Sequence, residues 1–187
     1  MSDSAARIRK FTRIIVVYPI GLIVIAMVVN LILGIEPLTV ALPSVGVMAA
    51  LVVASALLLL NHTWLMTATE LTRLHHGIYA SPEEYAEANA RKEDVPALGW
   101  SALERHHNAH RNATENTVYF GGLALLMALA SPSTLAAQIW IIGFAIGRLG
   151  YTYSALRGKA GLRGIFMSVS LAALYGMAGY LLLALMW

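Results

Sequence analysis

Four stretches of this chain carry no charged side chain over the roughly 20 residues that an α-helix needs to cross the hydrocarbon core of a bilayer. Residues 14–33, 44–66 and 164–187 each have the length of a single crossing. The stretch between Glu115 and Arg148 is too long for one. Ser131-Pro132-Ser133 divides it, because serine caps helix N-termini and proline breaks helix interiors. Two further helices are predicted there, over 101–130 and 134–157. The expected fold is therefore an all-α integral membrane protein with five spanning helices.

Composition agrees with lipid as the solvent. Charged residues make up 12% of the 187 and apolar residues 58%, whereas an average soluble domain is about 25% charged. The net charge of +3 is small and scattered, which excludes a nucleic-acid footprint. There is no cysteine. Disulfides, thiolate metal sites and a cysteine nucleophile are thereby excluded, and any thiol chemistry must use sulfur brought by a substrate.

Lysine and arginine set the expected direction of threading. Arg7, Arg9, Lys10 and Arg13 precede the first span. Arg73, Arg91, Lys92 and Arg105 lie between the second and third, and Arg157, Lys159 and Arg163 between the fourth and fifth. The connections 34–43 and 131–133 contain neither. Five crossings put all these cations on one side, so the N-terminus is expected in the cytoplasm and the C-terminus outside, with a bacterial inner membrane as the setting. The first span follows basic residues as a signal peptide would. It is longer than an ordinary signal core and no A-x-A site follows, so it is expected to be retained. Residues 1–43 then form the N-terminus and one helix, and 44–187 form a four-helix domain with a loop over 77–100. In that loop Ser81-Pro82-Glu83-Glu84 predicts a capped short helix reaching about residue 91.

Ionisable side chains within spans are costly and direct attention to function. At 100° per residue, Glu104, Asn108, Arg111, Asn112, Glu115 and Tyr119 share one sector of the third spanning helix, with His106 and His110 turned away. Ser101 and Glu104 also have capping-box spacing, which would make Glu104 a helix-start residue. Glu115 and Arg148 sit at matching depth, roughly 21–23 Å from the far surface at 1.5 Å per residue. A buried ion pair between them is expected, serving either to pin two helices or to take part in chemistry. His106 and His110 have i, i+4 spacing without the H-E-x-x-H carboxylate, so no metal site is expected. Gly143 and Gly147 make a GxxxG pair, and Gly164, Ser168, Ala172 and Gly176 a ladder of small residues. Such faces allow close helix approach within or between chains.

The run Glu104-Arg105, Ala109-His110-Arg111-Asn112, Glu115-Asn116 resembles the signature helix of the MAPEG family (membrane-associated proteins in eicosanoid and glutathione metabolism). Gly147-Arg148, Tyr151 and the basic turn ending Leu162-Arg163 resemble it too. The likeness covers about 44–187. It implies a four-helix bundle assembled as a homotrimer, with glutathione as cosubstrate between neighbouring subunits near the cytoplasmic face. By resemblance, Arg73, Arg105, His110, Arg111, Asn112, Glu115 and Tyr151 line or brace that site. Glu115–Arg148 looks like the family's buried ion pair, and Arg163 like the arginine that stabilises the glutathione thiolate. Asn108 stands where many members carry an arginine, Ala155 where many carry a second tyrosine, and the first span has no counterpart.

A thiol is mostly protonated at neutral pH and its thiolate is the nucleophile. A nearby guanidinium such as Arg163 favours the anion, Tyr151 can donate a hydrogen bond, and arginines suit the two carboxylates of glutathione. The implied activity is a glutathione-dependent transferase or peroxidase acting on lipophilic electrophiles or hydroperoxides from the membrane lipid. The alternative is a non-catalytic member that binds lipid or a partner, with its polar cluster as structural glue.

Overall fold

The computed structural model describes the backbone of residues 3–186 and the side chains of 7–186. Its helices are α1 (Asp3–Leu33), α2 (Val45–His76), α3 (Pro82–Glu87), α4 (Ala97–Leu129), α5 (Thr134–Ala137), α6 (Gly143–Leu156) and α7 (Ala160–Met186). A 3-10 turn, Lys92–Asp94, precedes α4, and a π-helical turn, Gln138–Ile142, joins α5 to α6. Trp187, the last residue of the fifth span expected from the sequence, lies outside the described residues.

Local chemistry sets the ends of these helices. The Ser44 hydroxyl accepts from the Val47 N–H at 3.3 Å and caps α2, which closes on Gly77 in the left-handed region at φ 62°. Ser133 caps α5 in the same way through the Ala136 N–H. Ser81 caps α3, but this helix stops at Glu87, short of the expected reach, and Asn89 turns left-handed at φ 49°. The expected capping box at Ser101 and Glu104 does not form. Helix α4 starts a turn earlier, with Pro96 at the N-cap. Ser101 is interior and its hydroxyl donates to the Ala97 carbonyl, because proline ahead of the helix already removes one of the orphan N–H groups that a cap would serve.

Among the described residues, four stretches are long and apolar enough to cross a membrane: Arg7–Leu33, Val45–His76, Thr134–Leu156 and Ala160–Met186. Helix α4 is excluded by its polar first half. It still runs the length of the bundle, because it packs antiparallel on both α2 and α6. Gly99 sits against His76 and Thr72 bonds His106 Nδ1 at 2.9 Å, while Phe120 stacks on Phe144 with centroids 4.3 Å apart. Its far end meets the 34–44 connection, where the Ala41 N–H donates to the Leu129 carbonyl. The chain therefore makes five alternating helical passes, with α4 as the third.

Between helices in lipid, close packing replaces the hydrophobic effect as the glue, since lipid tails are as apolar as leucine. Gly147 lets α6 meet α7 so closely that a methyl there would lie 2.8 Å from the Ser170 nitrogen. The small-residue ladder of α7 seats α1, which runs parallel to it. Tyr18 donates to Ser168 Oγ at 2.7 Å, and Asn30 Nδ2 to the Gly176 carbonyl at 2.9 Å. Asn30 is fully buried, and its Oδ1 accepts from Trp140 Nε1 at 2.7 Å. Gly147 and the Ser168–Gly176 part of the ladder are thus engaged within one chain, while Gly143 and Gly164 have no atom within 4 Å of an added methyl. One end of the bundle, formed by 34–44 and 130–133, lacks Lys and Arg; the other, with the loop and 157–163, is the charged end.

Candidate functional site

At the charged end a groove of about 300 Å³ opens between α4, α6 and the start of α7. Glu104, Arg105 and Asn108 line it from α4, Tyr151 and Ala155 from α6, and Arg163 from α7. Four of the residues singled out from the sequence, Arg105, Asn108, Tyr151 and Arg163, therefore share one space. Two guanidinium groups, one carboxylate and one phenol offer opposite charges and a hydrogen-bond donor to a zwitterionic ligand. Ala155 leaves room that a second tyrosine would fill.

Beneath the groove lies Arg148, with no exposed surface. Its Nη2 donates to Asn112 Oδ1 at 2.8 Å, and its guanidinium lies 4.5 Å from the Tyr151 ring centroid. Its Nε is buried without a partner. The expected Glu115–Arg148 ion pair is not formed within the chain. Helix α4 is rotated so that Asn112, Asn116 and Phe120 turn inward, and Glu115, about 100° round the helix from Asn116, stands exposed. Depth along a helix says nothing about azimuth. Arg148 is instead held by an amide and an aromatic face, which stack well on a planar guanidinium.

Most of the polar sector of α4 faces outward. Glu104, Asn108, Arg111, Glu115 and Tyr119 are exposed, and Asn112 alone is half-buried. Arg111 Nη2 donates to Asn108 Oδ1 at 2.7 Å, so a guanidinium stands beside the position where arginine is missing. His110 and Arg73 lie outside the groove. His110 meets His62 edge to face at 5.9 Å in an apolar cleft between α2 and α4. Arg73 reaches Glu70 at 3.6 Å and lines a cavity under the loop.

Sequence reasoning passed over Asn30, although a lone amide within an uncharged span is itself a signal. Glu104, which the sequence allows either as a helix-start residue or as part of the polar sector, lines the groove.

The fold and groove define a multi-pass integral membrane protein with a polar site at one end of its bundle. The MAPEG family profile matches residues 48–183, from the first turn of α2 almost to the end of α7. The chain belongs to the MAPEG family, with α1 as an addition outside the matched region. Comparison with curated proteins gives no match. Membership carries a membrane function in glutathione or eicosanoid metabolism in general, in a family that includes catalytic and non-catalytic members.

Proposed function

We propose that this protein is a glutathione-dependent membrane transferase or peroxidase for lipophilic electrophiles or hydroperoxides. The observation that carries the reading is the convergence of Glu104, Arg105, Tyr151 and Arg163 on one groove. Glutathione has two carboxylates, one ammonium and one thiol. Arg105 and Arg111 suit the carboxylates and Glu104 the ammonium. Arg163 favours the thiolate over the thiol, and Tyr151 donates a hydrogen bond to it. Arg163 is exposed in the single chain, so water would screen it until the groove is covered.

A homotrimer supplies that cover in this reading. Exposed Glu115 and Arg111 on a helix at membrane depth are costly against lipid. A second copy laid on this face removes the cost and closes the groove. Mass measurement of the detergent-solubilised protein tests the assembly, and a stable monomer overturns the shared site. The basic end belongs in the cytoplasm by the positive-inside rule, with the N-terminus inside and the C-terminus out. Reporter fusions at the two termini should report opposite sides.

Calorimetric titration of glutathione into purified protein is the direct test. Saturable binding weakened by Arg105→Ala supports the reading. Absence of binding ends it and leaves the non-catalytic alternative, a lipid- or partner-binding protein, which Asn108 and Ala155 favour.

A further inference from the structure

The cavity under the loop is larger than the groove, at about 600 Å³, and shares no lining residue with it. Its walls come from the end of α2, the segment 78–93 and the first turns of α4. Aromatic rings frame it. Tyr79 and Tyr85 meet edge to face with centroids 4.9 Å apart, and Trp100 carries Lys92 Nζ 5.3 Å from its ring centre.

The charge inside is one-sided. Arg73, Arg91 and Lys92 line the cavity against the single carboxylate of Glu93. One terminal nitrogen of Arg73 is directed at Glu70 at 3.6 Å, and that carboxylate is 64% exposed. Its Nε is buried with no partner, as is the Tyr85 hydroxyl. A buried N–H or O–H left unpaired is costly, and here the guanidinium donor and the phenol belong to residues of the same cavity. Neither is served by a side chain, which leaves two unpaired donors on residues that line this cavity.

We propose that this cavity is a second binding site, distinct from the groove, for a phosphate ester at the membrane surface. The acceptor has to be anionic to answer the excess of cations. Tyrosine, tryptophan and basic side chains together form the usual belt at the level of lipid headgroups. Leu74 and Leu98, next to Arg73 and close to Trp100, are 77% and 73% exposed, which places acyl chains beside the cations. An anionic phospholipid headgroup and a free phosphate share the recognised chemistry. The resemblance assigns Arg73 to the glutathione site between subunits, so competition by glutathione is made one arm of the test, while Lys92, Tyr85 and Trp100 line this cavity alone.

The test is native mass spectrometry on delipidated protein titrated with short-chain phosphatidylglycerol, with phosphatidylcholine of the same chain length, and with inorganic phosphate as competitor. Phosphatidylglycerol should bind about tenfold tighter than phosphatidylcholine. Arg73→Ala and Lys92→Ala should each weaken it about tenfold, the usual size of one charge-assisted hydrogen bond, while Arg163→Ala should leave it unchanged. Lys92 lies on an exposed 3-10 turn, so its variant reports even where Arg73→Ala fails to fold. Competition by millimolar phosphate identifies a free anion as the ligand, and lack of competition identifies the lipid. Equal binding of both lipids with no effect of Lys92→Ala overturns the proposal. So does displacement of phosphatidylglycerol by glutathione, which would make the cavity part of the groove. Failure of glutathione to bind at all bears only on the proposed enzyme activity.

Discussion

The two ends of the bundle satisfy their buried polar groups in opposite ways. Towards the end without lysine or arginine, Asn30 uses both faces of its amide, on Trp140 and Gly176. The Tyr180 hydroxyl accepts from the Glu36 N–H at 3.2 Å. Around them pack Phe120, Phe144, Met127, Met177 and a bed of alanines. From the middle of the bundle towards the charged end the pattern reverses. Asn61, Arg73, Tyr85, Arg148 and Thr152 each keep a buried polar atom without a partner, and all such atoms among the described residues lie there. Native proteins leave few such groups without a reason. One end is built for cohesion, and the other holds unfilled hydrogen-bonding capacity that a ligand or second copy can use.

The largest expected effect tests the cohesive end. Asn30→Leu strands the Trp140 N–H, while the Gly176 carbonyl keeps its partner within α7, and should cost about 1–3 kcal/mol for one buried unpaired group. Thermal melting in detergent together with protease sensitivity of α1 would show it. A variant that melts like the wild type would mean that α1 is not keyed into the bundle.

Next comes the coupling around Arg148. Asn112→Ala and Arg148→Leu should be non-additive by about 1–2 kcal/mol, because they share a buried contact. Glu115→Gln and Arg148→Leu should add within about 0.5 kcal/mol. Strong coupling of Glu115 to Arg148 in the assembled protein, absent in monomer, would show that a neighbouring copy completes the ion pair.

The charged end is tested more finely by the thiol. If glutathione binds as proposed, Arg163→Ala should raise the bound thiol pKa by about one unit, which corresponds to about 1.4 kcal/mol. Binding should stay within several-fold, and the turnover lost at neutral pH should partly return as pH rises. Thiolate absorbance and turnover with a generic electrophile measure both. An unchanged pKa would leave Arg163 as a topology anchor. The smallest effect is expected for Gly143→Ala, because no atom lies within 4 Å of the added methyl. Its stability should move by less than about 1 kcal/mol, in the direction of better helix propensity.

What the sequence determined is whatever depends on one helix at a time. Uncharged length marks the spans, Ser131-Pro132-Ser133 and Ser81 mark two of the starts, and the rotation per residue groups Glu104, Arg111 and Glu115 on one face. These follow from local geometry and from the cost of charge in lipid, which a single helix already carries. Helix α4 shows the limit: a spanning helix over 101–130 is legible in the sequence, but the direction in which its polar first half faces is not. Which way a face turns is a property of two helices. The stacking of Phe120 on Phe144 rotates α4 so that Asn112, rather than Glu115, reaches Arg148. The small residues of α7 were legible as a packing face, but their occupant was not, because any close neighbour could fill it. Tertiary structure assigned that face to α1, brought Arg163 to Tyr151 across one groove, and left Arg73 under the loop. Residues far apart in sequence meet only when several helices settle together, and the azimuth of each is set by the best packing of all.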